Sequence, residues 1–393
     1  MKAAALLLAL VALPAHAAWQ WDDALTVNRA VGAAIFPHLE SANRRGVAVS
    51  AGSVAVVWED NRGGTPQCQL AIKPAGAAAF GPETRLSRGE CYEPVVQALD
   101  DGRFVAAWEE EGRIRAQVVP GGMPQQLSPR SGAQATLARA GSALYAAWAE
   151  EAGRFRRIVV ARLELEENVL RVQSAQPVEA SVPVDEQGWP ALAATGDGRL
   201  VVAWEDRRHR HTVPLTSHSR DGGKTFSTPT RLADTRSGSV DGLGAGTGAM
   251  RPTLAACGGR GFVAVWLDKR DFLSGYDVYA AFDEGEGRFG RNLKVQDSFG
   301  DNMAQWHAVV AADVQGRLVA LWDDAREGTP DVWLAEWDGA AFGENFSFPG
   351  GSGAGAQSDP VATFDAEGAL HIVWLDRDEQ GGTRVRYQRG VRR

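Results

Sequence analysis

Beyond its first residues the chain has no long apolar run. Nothing approaches the roughly 18 apolar residues of a membrane helix, so no integral membrane segment is expected. Helical periodicity is absent as well: no stretch spaces its apolar residues at 3.6. Basic residues do not gather. Net charge is −8, and the densest basic run, Arg207 to His211, reads as a solvated loop and not as a nucleic-acid footprint. His209 and His211 in that loop lack a third ligand, so no metal and no cofactor are expected. The glycine-rich stretch over residues 235–250 lacks the Lys-Ser/Thr ending of a phosphate loop and leads into a strand. Cysteine is confined to Cys68, Cys91 and Cys257, an odd count that leaves one thiol over from any disulfide.

The chain opens with MKAAALLLALVALPAHAAWQ. Lys2 supplies a short charged region, residues 3–13 an apolar core, and Ala15-His16-Ala17 a small-x-small cleavage site. That order marks residues 1–17 as a secretory signal peptide. Export to the periplasm or beyond follows, with residues 18–393 as one monomeric domain. No cysteine follows the cleavage site, so no lipid anchor is expected. An oxidising destination permits a disulfide.

What the chain does contain is a repeated strand. SVAVVWEDNR, RFVAAWEEEGR, ALYAAWAEE, LVVAWEDRR, FVAVWLDKR, LVALWDDAR and LHIVWLDRD centre on Trp58, Trp108, Trp148, Trp204, Trp266, Trp322 and Trp374, spaced 50, 40, 56, 62, 56 and 52 residues apart. An acid stands two residues after every one of these tryptophans, and Arg62, Arg208, Arg270 and Arg326 follow two further on. Pro94, Pro190, Pro252 and Pro360 each precede their tryptophan by 14 residues. Each copy reads as four short strands with turn punctuation. Four-stranded units repeated radially predict an all-β, seven-bladed β-propeller, a six-bladed ring with one repeat outside it being the alternative. The last copy stops without a fourth strand. Residues 19–28 resemble a fourth strand without a blade, so they are expected to close the ring on blade 7. This topology puts Cys68 and Cys91 on one rim in adjacent strands, where they are expected to pair, and Cys257 at the end of an inner strand as a buried thiol.

In blade 4, SHSRDGGKTF carries Ser219, Asp221, Gly223, Thr225 and Phe226 in the spacing S-x-D-x-G-x-T-[WF]. This resembles the Asp box of bacterial sialidase-like propellers. The resemblance implies a folding element on the turn between third and fourth strands, with Asp221 holding turn N–H groups and Phe226 buried between sheets. It extends over nearly the whole mature chain as a repeat, with one complete box. The family's Arg-Ile-Pro motif is absent and its usual blade number is six. No catalytic residue of the family is carried over.

Seven copies of one device cannot be seven catalysts, so function is sought where the repeats differ. The positions just before the repeat proline bring Tyr92-Glu93, Gly188-Trp189, Met250-Arg251, Trp306-His307 and Ser358-Asp359 to the top of the inner strands. In blade 1 the same register reaches Asn43 and Arg44. A ring of aromatic, cationic and acidic groups at a concave mouth suits a ligand. Trp189, Trp306 and Tyr92 are candidate platforms and Arg251 a candidate carboxylate clamp. Glu93, Asp359 and His307 are candidate catalytic groups, and Arg62 and Arg208 candidate anion ligands in the next turns. The expected ligand is a glycan or acidic sugar, bound or hydrolysed. The alternative is a non-catalytic module for a protein or polysaccharide partner.

Overall fold

The computed structural model describes residues 19–208, 211–234, 248–270, 275–285 and 288–393. The expected signal peptide, His209 and residues 235–247 of the glycine-rich stretch lie outside the described residues. The described chain forms seven antiparallel sheets in a ring, which sets the six-bladed alternative aside. Blade 2 shows the plan: strands Cys91–Ala98, Phe104–Glu110, Arg113–Val119 and Gln125–Gln126 run from the channel outward. In blade 6 the fourth strand is reduced to isolated bridges, Leu334 with Phe346 and Trp337 with Phe342. No described helix is long and apolar enough to cross a membrane.

Blade 7 is built from both ends of the chain. Trp19–Trp21 and Leu25–Thr26 pair antiparallel with Thr383–Arg392, its third strand. Trp19 and Trp21 stack with centroids 5.3 Å apart, and Trp21 lies 5.3 Å from Phe348. The Asn28 side chain accepts the Val385 N–H at 2.8 Å. With both ends of the chain joined in blade 7, the ring has no open end between its first and last blades.

The tryptophan of each second strand is buried and fills the space between adjacent sheets, where alternation of side chains puts large faces against small ones. Cys68 and Cys91 form a disulfide between blades 1 and 2, with Cα atoms 5.5 Å apart. Cys257 is a buried thiol, its sulfur 3.8 Å from the Gly316 carbonyl oxygen. In the blade 4 turn, Asp221 accepts the N–H groups of Lys224 and Thr225 at 3.0 Å and the Thr225 hydroxyl at 2.6 Å. Gly222 and Gly223 carry the positive φ that this turn demands. Phe226 packs half-buried against the core between blades 3 and 4.

One irregularity recurs and positions the functional groups. Near the top of six inner strands the register slips by one residue, as between Tyr92 and Val95 or Met250 and Thr253. In four of them proline, with no N–H for the ladder, sits in the bulge. The bulged residue takes a left-handed backbone: φ is 52° at Glu93, 59° at Gln134, 51° at Trp189, 52° at Arg251 and His307, and 56° at Asp359. Such strain in non-glycine residues is held by the surrounding sheet and re-aims the side chain.

Candidate functional site at the channel mouth

Four of the re-aimed side chains, Trp189, Arg251, His307 and Asp359, line a cavity of about 380 Å³ on the top rim. Its wall is completed by residues 38–44, which precede blade 1 and end in a 3₁₀ turn, Ala42–Arg44. This segment crosses the channel. The Asn43 side chain accepts the Leu254 N–H at 2.7 Å and donates to the Leu192 carbonyl at 3.1 Å. Arg44 donates to the Pro360 carbonyl at 3.0 Å. Blades 4, 5 and 7 are thus tied together over the axis.

Four of the six bulged N–H groups donate to a side chain of the preceding blade, three of them to the residue directly after the repeat tryptophan. Glu59 accepts from Glu93 at 3.2 Å, Glu205 from Arg251 at 2.9 Å, and Asp323 from Asp359 at 2.9 Å. Gln134 accepts from Trp189 at 2.8 Å. These carboxylates therefore stand around the mouth with a structural duty already assigned to one oxygen.

Arg251 lies flat on Trp189, its guanidinium carbon 3.4 Å from the ring centre. Its Nε donates to Glu40 at 2.8 Å and its Nη1 to Glu205 at 2.9 Å. Glu40 also takes Arg44 at 2.8 Å. Burial alone would raise the Glu40 pKa, but Arg44 and Arg251 together bring it below the usual carboxylate range. His307 bridges two acids, with Nδ1 2.6 Å from Asp323 and Nε2 3.3 Å from Asp359. Burial opposes a charge on the ring, yet Asp323 and Asp359 outweigh it and lift its pKa. Burial likewise opposes ionisation of Asp359, and there His307 and Arg44 prevail, keeping the carboxyl low.

Glu93 is the opposite case. Burial, then the nearby charges of Glu109 and Glu40, push its pKa up to about 8. Its Oε2 is buried without a hydrogen-bond partner. The ionised Asp359 lines the mouth, whereas Glu93, with its raised pKa, is buried outside that lining and feels Glu40 and Arg251 of the wall.

The structure brings Trp189, Arg251, His307 and Asp359 to the cavity wall, with Trp306 40 % exposed beside them. The ring of Tyr276 leans on Trp306 at 5.3 Å. Glu93 faces the same cluster electrostatically from blade 2. Glu93 does not line the cavity, and three other expected residues also stay off its wall. Tyr92 is exposed, and its hydroxyl donates to Glu90. Arg62 and Arg208 belong to the frame: Arg62 pairs with Asp60 and Glu83, and Arg208 with Asp206 and Glu179. Their guanidiniums close the turn after the repeat strand, so they correct the expectation of anion ligands there. Reading the sequence missed His38, Glu40 and Glu205. Glu205 had a signal, since it directly follows a repeat tryptophan; His38 and Glu40 lie outside the repeat and had none.

Donor atoms of Glu40, His307 and Asp359 lie within 4.8 Å of one another. Three cations already answer these acids: Arg44, Arg251 and a His307 held toward its charged form. Both imidazole nitrogens face carboxylates, so the ring has no lone pair aimed at a metal. The trio reads as an ion-pair network.

Neither a family model nor a curated protein sequence matches the chain. Solved structures do. A protein of unknown function from Dyadobacter fermentans aligns with a TM-score of 0.55 at 12% identity, over 95% of this chain and 99% of that one. A prolyl endopeptidase aligns with a TM-score of 0.53 at 16% identity, over 88% of this chain and 47% of the other, so the chain spans about half the length of that enzyme. An α-L-arabinanase from Penicillium chrysogenum aligns with a TM-score of 0.49 at 13% identity, over 77% and 93%. At such identities the first two likenesses show a common fold and leave the chemistry of the mouth to its own residues.

Proposed function

We propose that the protein takes a glycan at the top of its central channel. One observation carries this reading: two indoles, Trp189 and Trp306, and the ionised Asp359 line one mouth, with Glu93, an acid of raised pKa, buried within electrostatic reach of its Glu40 and Arg251. Sugar rings offer apolar faces to indoles and hydroxyls to carboxylates. Arg251 serves here as a positioning group, because Nε and Nη1 are engaged by Glu40 and Glu205. It holds the Trp189 face and is not free as a clamp for a sugar acid. No tyrosine is among the residues lining the cavity, so the resemblance to sialidase-like propellers supports glycan binding without that family's tyrosine nucleophile. The same reading takes the protein out of the cytoplasm through residues 1–17.

Hydrolysis would use Asp359, which lines the mouth, as the ionised carboxylate, and Glu93 as the proton donor once a movement of the wall opens it to the glycosidic oxygen. A second reading, binding without turnover, is favoured by the engagement of Asp359 with His307 and Arg44, which damps its basicity. The experiment is a glycan array followed by calorimetry on the best ligand. Trp189→Ala and Trp306→Ala should each weaken binding at least about tenfold, as loss of an aromatic platform does. Unchanged affinity in both variants moves the site off the mouth. Reducing-sugar release by the wild type, lost in Glu93→Gln and falling in the wild type above about pH 8, selects hydrolysis; binding with no release selects the lectin-like reading.

A further inference from the structure

Beneath the segment that crosses the mouth, the channel continues to the opposite rim. Arg45 follows Arg44 but enters this lower compartment. Its Nη2 donates to the Leu254 carbonyl at 3.1 Å. Its Nε is buried and has no hydrogen-bond partner. Among the described residues no carboxylate forms an ion pair with it. The compartment holds about 160 Å³ and is walled by small side chains of the inner strands, including Ala138, Ala193, Ala255, Ala311 and Ala362. It shares Gln97 and Arg139 with a depression of about 510 Å³ on the lower rim, which gives it an entrance. Arg139, at that entrance, is already neutralised by Asp100, with Nη1 2.6 Å from Oδ1.

A guanidinium held in a narrow channel without an acid partner is unfavourable, and arginine does not escape by losing its proton. Burial pulls its pKa down to about 10, which leaves it charged at neutral pH. Every other buried arginine of the mouth has an acid within reach: Arg44 has Glu40 and Asp359, and Arg251 has Glu40 and Glu205. Arg45 faces a compartment with no acid among its described lining residues. The outer edge of the guanidinium, formed by its two terminal nitrogens, is the fork that two carboxylate oxygens match. The small alanine side chains leave room for only a small ligand.

We propose that the lower channel is a binding site for a small organic carboxylate, held by Arg45 and entering from the rim opposite the glycan mouth. This site is separate from the one proposed above and stands or falls independently of it.

The test is thermal denaturation of the full chain in sodium acetate and in sodium chloride at matched ionic strength. At a hundredfold excess over its Kd, acetate should raise Tm by about 3 °C, saturably. Arg45→Met, which removes the charge and keeps the bulk, should abolish the difference between the two salts. Equal shifts in both salts, or an acetate shift that persists in Arg45→Met, would overturn the proposal. A measurement without any variant guards against a failure to fold: crystals of the wild-type chain soaked in bromoacetate. A bromine anomalous peak against the Arg45 guanidinium supports the site. Bromine only elsewhere, or none, sinks it.

Discussion

A buried indole must place its N–H, and six repeat tryptophans use the acid two residues on. Trp58 donates to Asp60 at 2.8 Å, Trp266 to Asp268 at 3.0 Å and Trp322 to Asp324 at 2.9 Å, with Trp108, Trp148 and Trp204 doing the same. The other oxygen of Asp60, Asp206, Asp268 and Asp324 takes the N–H of the arginine two residues further. The acid was legible in the sequence because it never varies. Its tie to the indole was not, since only strand geometry brings the two side chains together. Glu93 shows what happens to a carboxyl without such partners. Its folded pKa, about 8, exceeds the value of about 4.3 for a free glutamate. The folded state therefore binds the proton more tightly. Its contribution to stability is complete below about pH 4.3 and is lost as pH rises through 8. Glu93→Gln should match the wild type in Tm at pH 5 and exceed it at pH 9, read by differential scanning calorimetry. A Tm difference that does not change between those pH values would place Glu93 in a solvated setting.

The element that builds the site is residues 38–46, and it has no counterpart in the other repeats. Periodicity reveals repeated strands because each copy faces the same packing problem; a single segment crossing the axis leaves no such trace. Asn43 carries two buried channel-spanning bonds and a left-handed φ of 60°. Asn43→Gly keeps the backbone and loses the bonds, leaving the Leu254 N–H unsatisfied, a loss of about 1–3 kcal/mol. Asn43→Ala adds about 1 kcal/mol of backbone strain. Urea denaturation should rank wild type above Gly and Gly above Ala. Equal midpoints would mean that the segment does not tie the blades. The inner-strand bulge lies between these cases. The proline positions were visible, and they located Trp189, Arg251 and Asp359 correctly at the rim. The left-handed turn that aims them was not, because a proline biases the residue before it toward an extended backbone with negative φ, and only the bulge reverses that preference.

For the whole molecule, closure is the cooperative step. Removing residues 19–28 strips the Thr383–Arg392 strand of its neighbour and takes away Trp19, Trp21 and the Asn28 cap of Val385. Tm should fall by about 10 °C or more, given the apolar area of two indoles and a lost strand. A truncated protein melting within a few degrees of the parent would show that the ring holds without its closing strand. The amino-acid sequence by itself determined the blade count, the strand order, the closing strand and the rim on which side chains differ. These are consequences of periodicity, side-chain alternation and turn residues, all of them local along the chain. Which of the rim groups meet, which acids are already paired and which carboxyl keeps its proton were decided only by the tertiary structure. Those properties depend on distances across the ring and on desolvation by a segment that repeats nowhere.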